Sequence, residues 1–311
     1  MPAVPVGRMY HDPGPYGMPV VGDMVEITVL DEDPPHAIIA SVLPRKSLFA
    51  RKEAGKRTGA QPIAANIDTV FVVCGLDADF SVRRIERYLA LSLESGAEPV
   101  IVLTKADVCD DVENKVESVR ASAAGFPVYA ISTCAGTGLD DLSIHLRADA
   151  TVAFLGSSGV GKSTLTNHLL GNDIQRVQEV RDFDGRGRHT TTSRQLFVLP
   201  SGCCIIDTPG MRELGLRDAD DGLAGAFSDV EKIARGCRFA DCSHAGEPGC
   251  AVAEAIEQGA LDRDRFENYL KMKRELLYME RKQDTGAAVT ERTKWKKIHK
   301  MARDLNKRDR R

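Results

Sequence analysis

The chain has 311 residues, enough for two or three domains, and 42% hydrophobic with 28% charged residues is a globular rather than a disordered or fibrous composition. No apolar run reaches the roughly 18 residues of a membrane-spanning helix, and the start MPAVPVGRMYHDPGPYG lacks the basic-then-apolar order of a signal peptide, so a cytoplasmic chain without membrane contact is expected. Eight cysteines in such a chain argue for metal binding or core burial over a disulfide framework, and the net charge of −3 conceals a basic tail, 15 Lys/Arg against 6 Asp/Glu over 271–311.

Residues 1–66 read as a small β-domain. Strands are expected at 24–30 and 37–43, separated by the turn-rich DEDPPH, while the first 20 residues read as a Pro/Gly-rich loop. Within 45–57 stand Arg45, Lys46, Arg51, Lys52, Lys56 and Arg57, opposed only by Glu53. This cluster is either a nucleic-acid face or an ordinary solvated loop.

Over 67–217 the pattern changes to apolar strand-length runs alternating with amphipathic helical segments. Strands are predicted at 70–76, 99–104, 127–132, 151–155, 195–199 and 203–207, with helices at 82–94, 112–123 and 139–146. The alternation predicts an α/β fold with a mostly parallel sheet covered on both faces. The remainder, 218–311, reads as a helical domain interrupted by a cysteine-rich loop. Phe266, Tyr269, Leu270, Leu276 and Leu277 form an apolar stripe there, and the basic tail is either an RNA-binding element or a solvated, frayed helix.

Gly156-Ser-Ser-Gly-Val-Gly-Lys162-Ser163 fits G-x-x-x-x-G-K-[ST] between an apolar strand and a helical segment. Glycines let successive backbone N–H groups turn inward on phosphate oxygens at the positive end of the helix. Gly156, Ser157, Ser158, Gly159, Val160, Gly161, Lys162, Ser163 and Thr164 are thus expected to surround the phosphates, with Lys162 on the β- and γ-groups and Ser163 on Mg²⁺. Asp207-Thr-Pro-Gly210 fits D-x-x-G: Asp207 is expected to hold Mg²⁺ through water and the Gly210 N–H to sense the γ-phosphate. Between them, Gly185-Arg-Gly-Arg-His189-Thr-Thr-Thr192 has the composition of a switch loop, in which one threonine completes the Mg²⁺ shell; Thr191 is the choice among three.

Thr104-Lys105-Ala106-Asp107 resembles N-K-x-D. The Asp107 carboxylate can accept from the two adjacent N–H donors of guanine, which adenine lacks, and the Lys105 stem would pack along the base. Thr104 replaces the usual Asn, so the side-chain amide that ties this loop to the phosphate loop is missing. Ile131-Ser132-Thr133 resembles the S-A-K element, whose backbone N–H meets the guanine oxygen. Both guanine elements precede the phosphate loop, the reverse of the common order, so the domain is expected to be circularly permuted. Its chain then leaves the sheet directly after the γ-phosphate sensor, and movement of that switch should reach the C-terminal region. A Gln after D-x-x-G orients the attacking water in many GTPases; here Met211 stands there, which predicts slow unassisted turnover and makes His189 the nearest replacement.

Cys237, Cys242, His244 and Cys250 gather three thiols and an imidazole within a short loop, a full tetrahedral set for one structural Zn²⁺.

The permuted motif order, GRGRHTTT, DTPGMRE and the Cys-x4-Cys-x-His-x5-Cys loop together resemble the ribosome small-subunit-dependent GTPase A family, from about Val42 to the tail. The resemblance implies an N-terminal OB-fold, a permuted GTPase core and a C-terminal zinc domain. It further implies GTP/GDP and the small ribosomal subunit with its rRNA as partners, late subunit maturation as the task, and His189 as the catalytic residue. A monomer is expected. Only three OB strands are convincing in the sequence, so the barrel is expected to be incomplete. The competing class is a metabolic P-loop phosphotransferase or NTPase; the absence of a recognisable acceptor-substrate site counts against it.

Overall fold

A computed structural model describes residues 1–12, 14–31, 35–52, 60–171, 195–207 and 220–278. The expectations for His189, Thr191, Gly210 and Met211, for Lys56 and Arg57, and for the basic tail beyond residue 278 lie outside them.

The N-terminal region forms five strands in two small sheets. β1 (Ala3–Pro5), β2 (Val25–Leu30) and β3 (His36–Val42) make one in the order β1-β3-β2, and β4 (Leu48–Lys52) pairs antiparallel with β5 (Ala60–Ala65) in the other. β1 and a 3-10 turn, Gly7–Tyr10, lie where the sequence predicts loop; Met9 in that turn is buried against Ile39 and Val42 in a core of its own. Among the described residues Val21, in the segment before β2, bridges to Ala64 of β5, and no ladder joins the two sheets into the expected OB-like barrel. Arg45 is not part of a solvated basic face: its guanidinium pairs twice with Asp23 at 2.7 Å, and the two side chains are 7% and 1% exposed. Lys46 is exposed, as a surface cation should be.

The central sheet has six strands in the order β10-β11-β9-β6-β7-β8. β6 (Thr69–Gly75), β7 (Glu98–Thr104), β8 (Val128–Ala130), β9 (Thr151–Leu155) and β11 (Cys204–Asp207) run parallel, and β10 (Gln195–Val198) is antiparallel at the edge. β6 is buried along its whole length, with Val70, Val72 and Cys74 facing one core and Phe71 and Val73 the other. That two-sided burial is why its sequence is an unbroken apolar run rather than an alternating one. Helices α1 (Val82–Glu94), α2 (Val112–Ser122) and α3 (Lys162–Leu170) cover the sheet. The helix predicted at 139–146 is a 3-10 segment, Asp140–His145.

Among its described residues the C-terminal region has α4 (Asp220–Ala226), α5 (Ser228–Ala234), α6 (Ala251–Glu257) and α7 over 263–278. α4 lies hard against α1: a Cβ on Gly222 would stand 2.3 Å from the Ala90 carbonyl oxygen, so only glycine permits that approach. On α7 the buried stripe is Phe266, Tyr269, Met272 and Leu276; Leu277 lies off it and is exposed. Arg265 ties α7 to three other helices. It donates to Glu86 on α1 at 2.6 Å, to both oxygens of Asp229 on α5 at 2.6 and 2.8 Å and to the Ala226 carbonyl, with its guanidinium 4.6 Å from the Phe227 ring centre. Asn268 donates to the other Glu86 oxygen, and Arg87 on α1 makes a bidentate pair with Glu275 at 2.7 and 2.8 Å. No described helix is long and apolar enough to cross a membrane.

Candidate nucleotide and metal sites

The carboxyl ends of the parallel strands, where open α/β sheets hold their ligands, carry the predicted motifs side by side. β9 runs into the phosphate loop, β7 into Thr104–Asp107, β8 into Ile131–Thr133, and β11 ends on Asp207, one step past the Ile206–Ala153 pair. The permutation changes the order of the motifs in the chain and leaves their place on the sheet intact.

The phosphate loop fits its strand closely. A Cβ on Gly156 would sit 2.3 Å from the Val73 carbonyl oxygen of β6. Gly159 and Gly161 have φ of 78° and 95°, the left-handed region that glycine occupies without strain. Gly161 caps α3, so Lys162 to Thr164 form its first turn and their N–H groups face the loop. Lys162 is buried, with its ammonium donating to the Gly156 carbonyl at 2.7 Å and to the Ser157 carbonyl. Ser163 and Thr164 are half-buried and Ser158 is exposed.

The loop predicted to read guanine is bound to the phosphate loop after all. The Thr104 hydroxyl, buried at the end of β7, donates to the Val160 carbonyl at 2.6 Å, so it supplies the tie the missing Asn amide would have made. Lys105 has φ 62°, uncommon for a residue with a Cβ, and its ammonium pairs with Asp77 at 2.5 Å. Ser132 donates its hydroxyl to Asp107 at 2.5 Å and accepts from the Ala135 N–H, while the Ala106 N–H bonds to the Ile131 carbonyl at 3.1 Å. The two predicted guanine elements therefore form one unit, with Asp107 exposed and Thr133 half-buried at its rim.

Sequence reasoning missed three residues of this edge. Asp77 and Asp79 follow β6, and Arg84 on α1 donates to Asp79 at 2.5 Å and to the Ser157 hydroxyl at 2.8 Å. Burial is the largest single influence on Asp77 and raises its pKa, but the hydrogen bond and charge of Lys105 together with nearby backbone N–H groups outweigh it and hold the carboxyl below its ordinary range. Arg84 is raised, chiefly by its bond to Asp79. Aspartates at the carboxyl end of a buried parallel strand are the signal that could have singled them out.

Cys237, Cys242, His244 and Cys250 offer ligand atoms that all lie within 4.8 Å of one another. His244 Nδ1 is 3.5 Å from both Cys237 Sγ and Cys250 Sγ, close to the roughly 3.6 Å edge of a tetrahedron with zinc-length bonds. The donor set therefore fits one Zn²⁺ with no open position. The loop is locally built. Glu247 accepts from the N–H groups of Ser243 and Ala245 and from the Ser243 hydroxyl, and that last bond leads the causes that bring its pKa down to about 2. Cys250 caps α6, its sulfur accepting from the Ala253 N–H, and the His244 ring meets Phe266 of α7 edge-on at 5.7 Å.

Several known proteins are similar to this chain. The chain is 46% identical over 299 residues, 96% of its own length and 85% of the relative's, to small ribosomal subunit biogenesis GTPase RsgA 1 of Oceanobacillus iheyensis. It is 43% identical to the RsgA protein of the same description from Methanosarcina acetivorans, covering 90% and 76% of the two chains. Among solved structures, YjeQ from Thermotoga maritima matches with a TM-score of 0.65 at 30% identity, over 88% of this chain and 89% of that one. YloQ, described as a circularly permuted GTPase, matches with a TM-score of 0.58 at 25% identity, over 86% and 82%. Residues 42–217 match the family model described as RsgA GTPase, and the chain belongs to that family.

Proposed function

We propose that this chain binds the small ribosomal subunit, assists its late maturation, and hydrolyses GTP to GDP and phosphate at a rate the subunit raises. The observation that carries this reading is the joined guanine and phosphate site, with Asp107 and Lys162 on loops tied by the Thr104–Val160 bond, in a chain whose relatives are named for small-subunit biogenesis. In this reading Lys162 meets the β- and γ-phosphates, and Ser163, Thr191 and, through water, Asp207 hold Mg²⁺, which neutralises charge on the transferred group. Gly210 senses the γ-phosphate. The Cys237, Cys242, His244 and Cys250 set holds one structural Zn²⁺ that fixes the loop between α5 and α6. The N-terminal β-sheets, as an OB-like module, the zinc region and the basic tail contact rRNA, and the protein works as a cytoplasmic monomer.

Met211 in place of the usual Gln leaves the attacking water to His189, whose imidazole orients or deprotonates it when the chain is docked on the subunit. Substituting His189→Ala is expected to abolish the subunit-stimulated rate while GDP affinity stays within about threefold. A mutant stimulated as strongly as the parent would assign the water to another group. Co-sedimentation tests the partner. The full chain should pellet with small subunits in a non-hydrolysable GTP analogue and largely release in GDP; pelleting equally with large subunits would refute the reading.

A further inference from the structure

Beyond the motif residues, a continuous line of polar contacts runs from the base-reading loop to the phosphate loop. The Lys105 ammonium donates to Asp77 Oδ2 at 2.5 Å, and Asp77 Oδ1 accepts from the Asp79 N–H at 2.9 Å. Asp79 accepts from Arg84 at 2.5 Å through its carboxylate and at 3.2 Å through its carbonyl, and the same Arg84 nitrogen reaches the Ser157 hydroxyl at 2.8 Å. The strand end is shaped for the first of these groups, since a Cβ on Gly75 would lie 2.9 Å from Asp77 Oδ1. Lys105 is held in a left-handed backbone conformation by the loop around it, and a maintained conformation of that kind fixes the direction in which a side chain leaves the chain.

A lysine stem laid along a purine has four rotatable bonds and a strongly hydrated head, so unaided it samples many arrangements. The Asp77 carboxylate removes that freedom at the ammonium end, while both partners keep about 29% of their side-chain surface exposed, so neither pays a full desolvation penalty. We propose that Asp77 is a positioning residue for guanine recognition. It anchors the Lys105 head so that the stem lies along the base plane, and the Asp79–Arg84–Ser157 continuation keeps that plane in register with the phosphate loop. The inference rests on the reading of Thr104–Asp107 as the guanine site.

Calorimetric titration of the full-length chain with GDP and ADP tests it, using the parent, Asp77→Asn, Lys105→Ala and the double variant. Asp77→Asn keeps an acceptor and loses the charge; it is expected to weaken GDP about tenfold, the scale of one charge-assisted hydrogen bond. In the Lys105→Ala background the same change should weaken GDP by no more than about twofold, because Asp77 acts through Lys105. Asp77→Glu, which keeps the charge, should recover most of the loss. Gly75→Ala, which displaces the carboxylate without deleting it, gives a second route if the Asn variant fails to fold, and a loss of about threefold or more is expected. A selective parent with Asp77→Asn or Gly75→Ala binding GDP equally well overturns the inference alone, as does an equal loss with and without Lys105. A parent that binds ADP as tightly as GDP overturns the guanine reading and this inference together.

Discussion

Thr104 shows how one residue can be right in place and misread in role. Its departure from Asn predicts a loosened guanine loop, yet a hydroxyl at the end of β7 is close enough to the Val160 carbonyl to make the bond directly. Thr104→Val keeps the shape and removes the donor, leaving a buried carbonyl unpaired. GDP affinity should fall about tenfold, read by titration, with zinc content unchanged. In the proposed reading Asp107 carries the base choice: Asp107→Asn retains one acceptor but turns an NH₂ against a guanine donor, so the GDP-over-ADP preference should fall roughly a hundredfold. If ATP displaces labelled GDP from the parent as well as GTP does, that assignment fails. The phosphate loop, Thr104–Asp107 and Ile131–Thr133, which the structure brings to one sheet edge, were legible as fixed residue types at fixed spacing. Asp77 and the Arg84 contact to the phosphate loop were not, since Lys105 and Ser157 stand 28 and 73 positions away from them in the chain.

At the scale of elements, α1 is the shared neighbour of the nucleotide edge and the C-terminal helices. Arg84 at its start touches the phosphate loop, and within one turn Glu86 and Arg87 bind α7 through Arg265, Asn268 and Glu275. Glu86 is buried, which pushes its pKa up against the opposing pull of Arg265. Removing one partner of such a buried pair leaves an uncompensated group, so Arg265→Ala should destabilise the chain by about 3 kcal/mol in denaturant unfolding, with the loss in the docking of α5 and α7. The candidate zinc loop is held by its own local hydrogen bonds, with Cys250 and Val252 packed into the main core. Cys242→Ser, or chelation, should raise amide exchange over 237–261 and leave GDP binding intact, because site formation is coupled to the folding of its own loop. Less than about one equivalent of zinc in protein prepared without chelators would count against the site. Strands buried on both faces announced themselves as apolar runs. β1, β4 and β5 did not: they are short, charged or proline-bearing, and only pairing across the chain makes them strands.

For the whole molecule, the permuted order has a mechanical consequence. The chain leaves the sheet at Asp207 and is next described as α4, pressed onto α1 at Gly222. The segment that would begin with the proposed γ-phosphate sensor is thus covalently continuous with a helix seated against the same α1 whose Arg84 bonds the phosphate loop. The switch and the C-terminal helices are expected to respond together when GTP becomes GDP. The motif order alone exposed this connectivity, whereas the packing of α4 on α1 required the structure, because a glycine's close approach to a backbone carbonyl leaves no mark in composition. The most direct measurement is GTP turnover by the full chain, alone and with purified small or large ribosomal subunits, with ATP in parallel. Turnover alone should be slow, about 10⁻⁴–10⁻² per second, and small subunits should raise it at least about tenfold for GTP and not for ATP, while large subunits do not. A GTP rate that is the same with and without small subunits would contradict the assignment of this GTPase to the small ribosomal subunit.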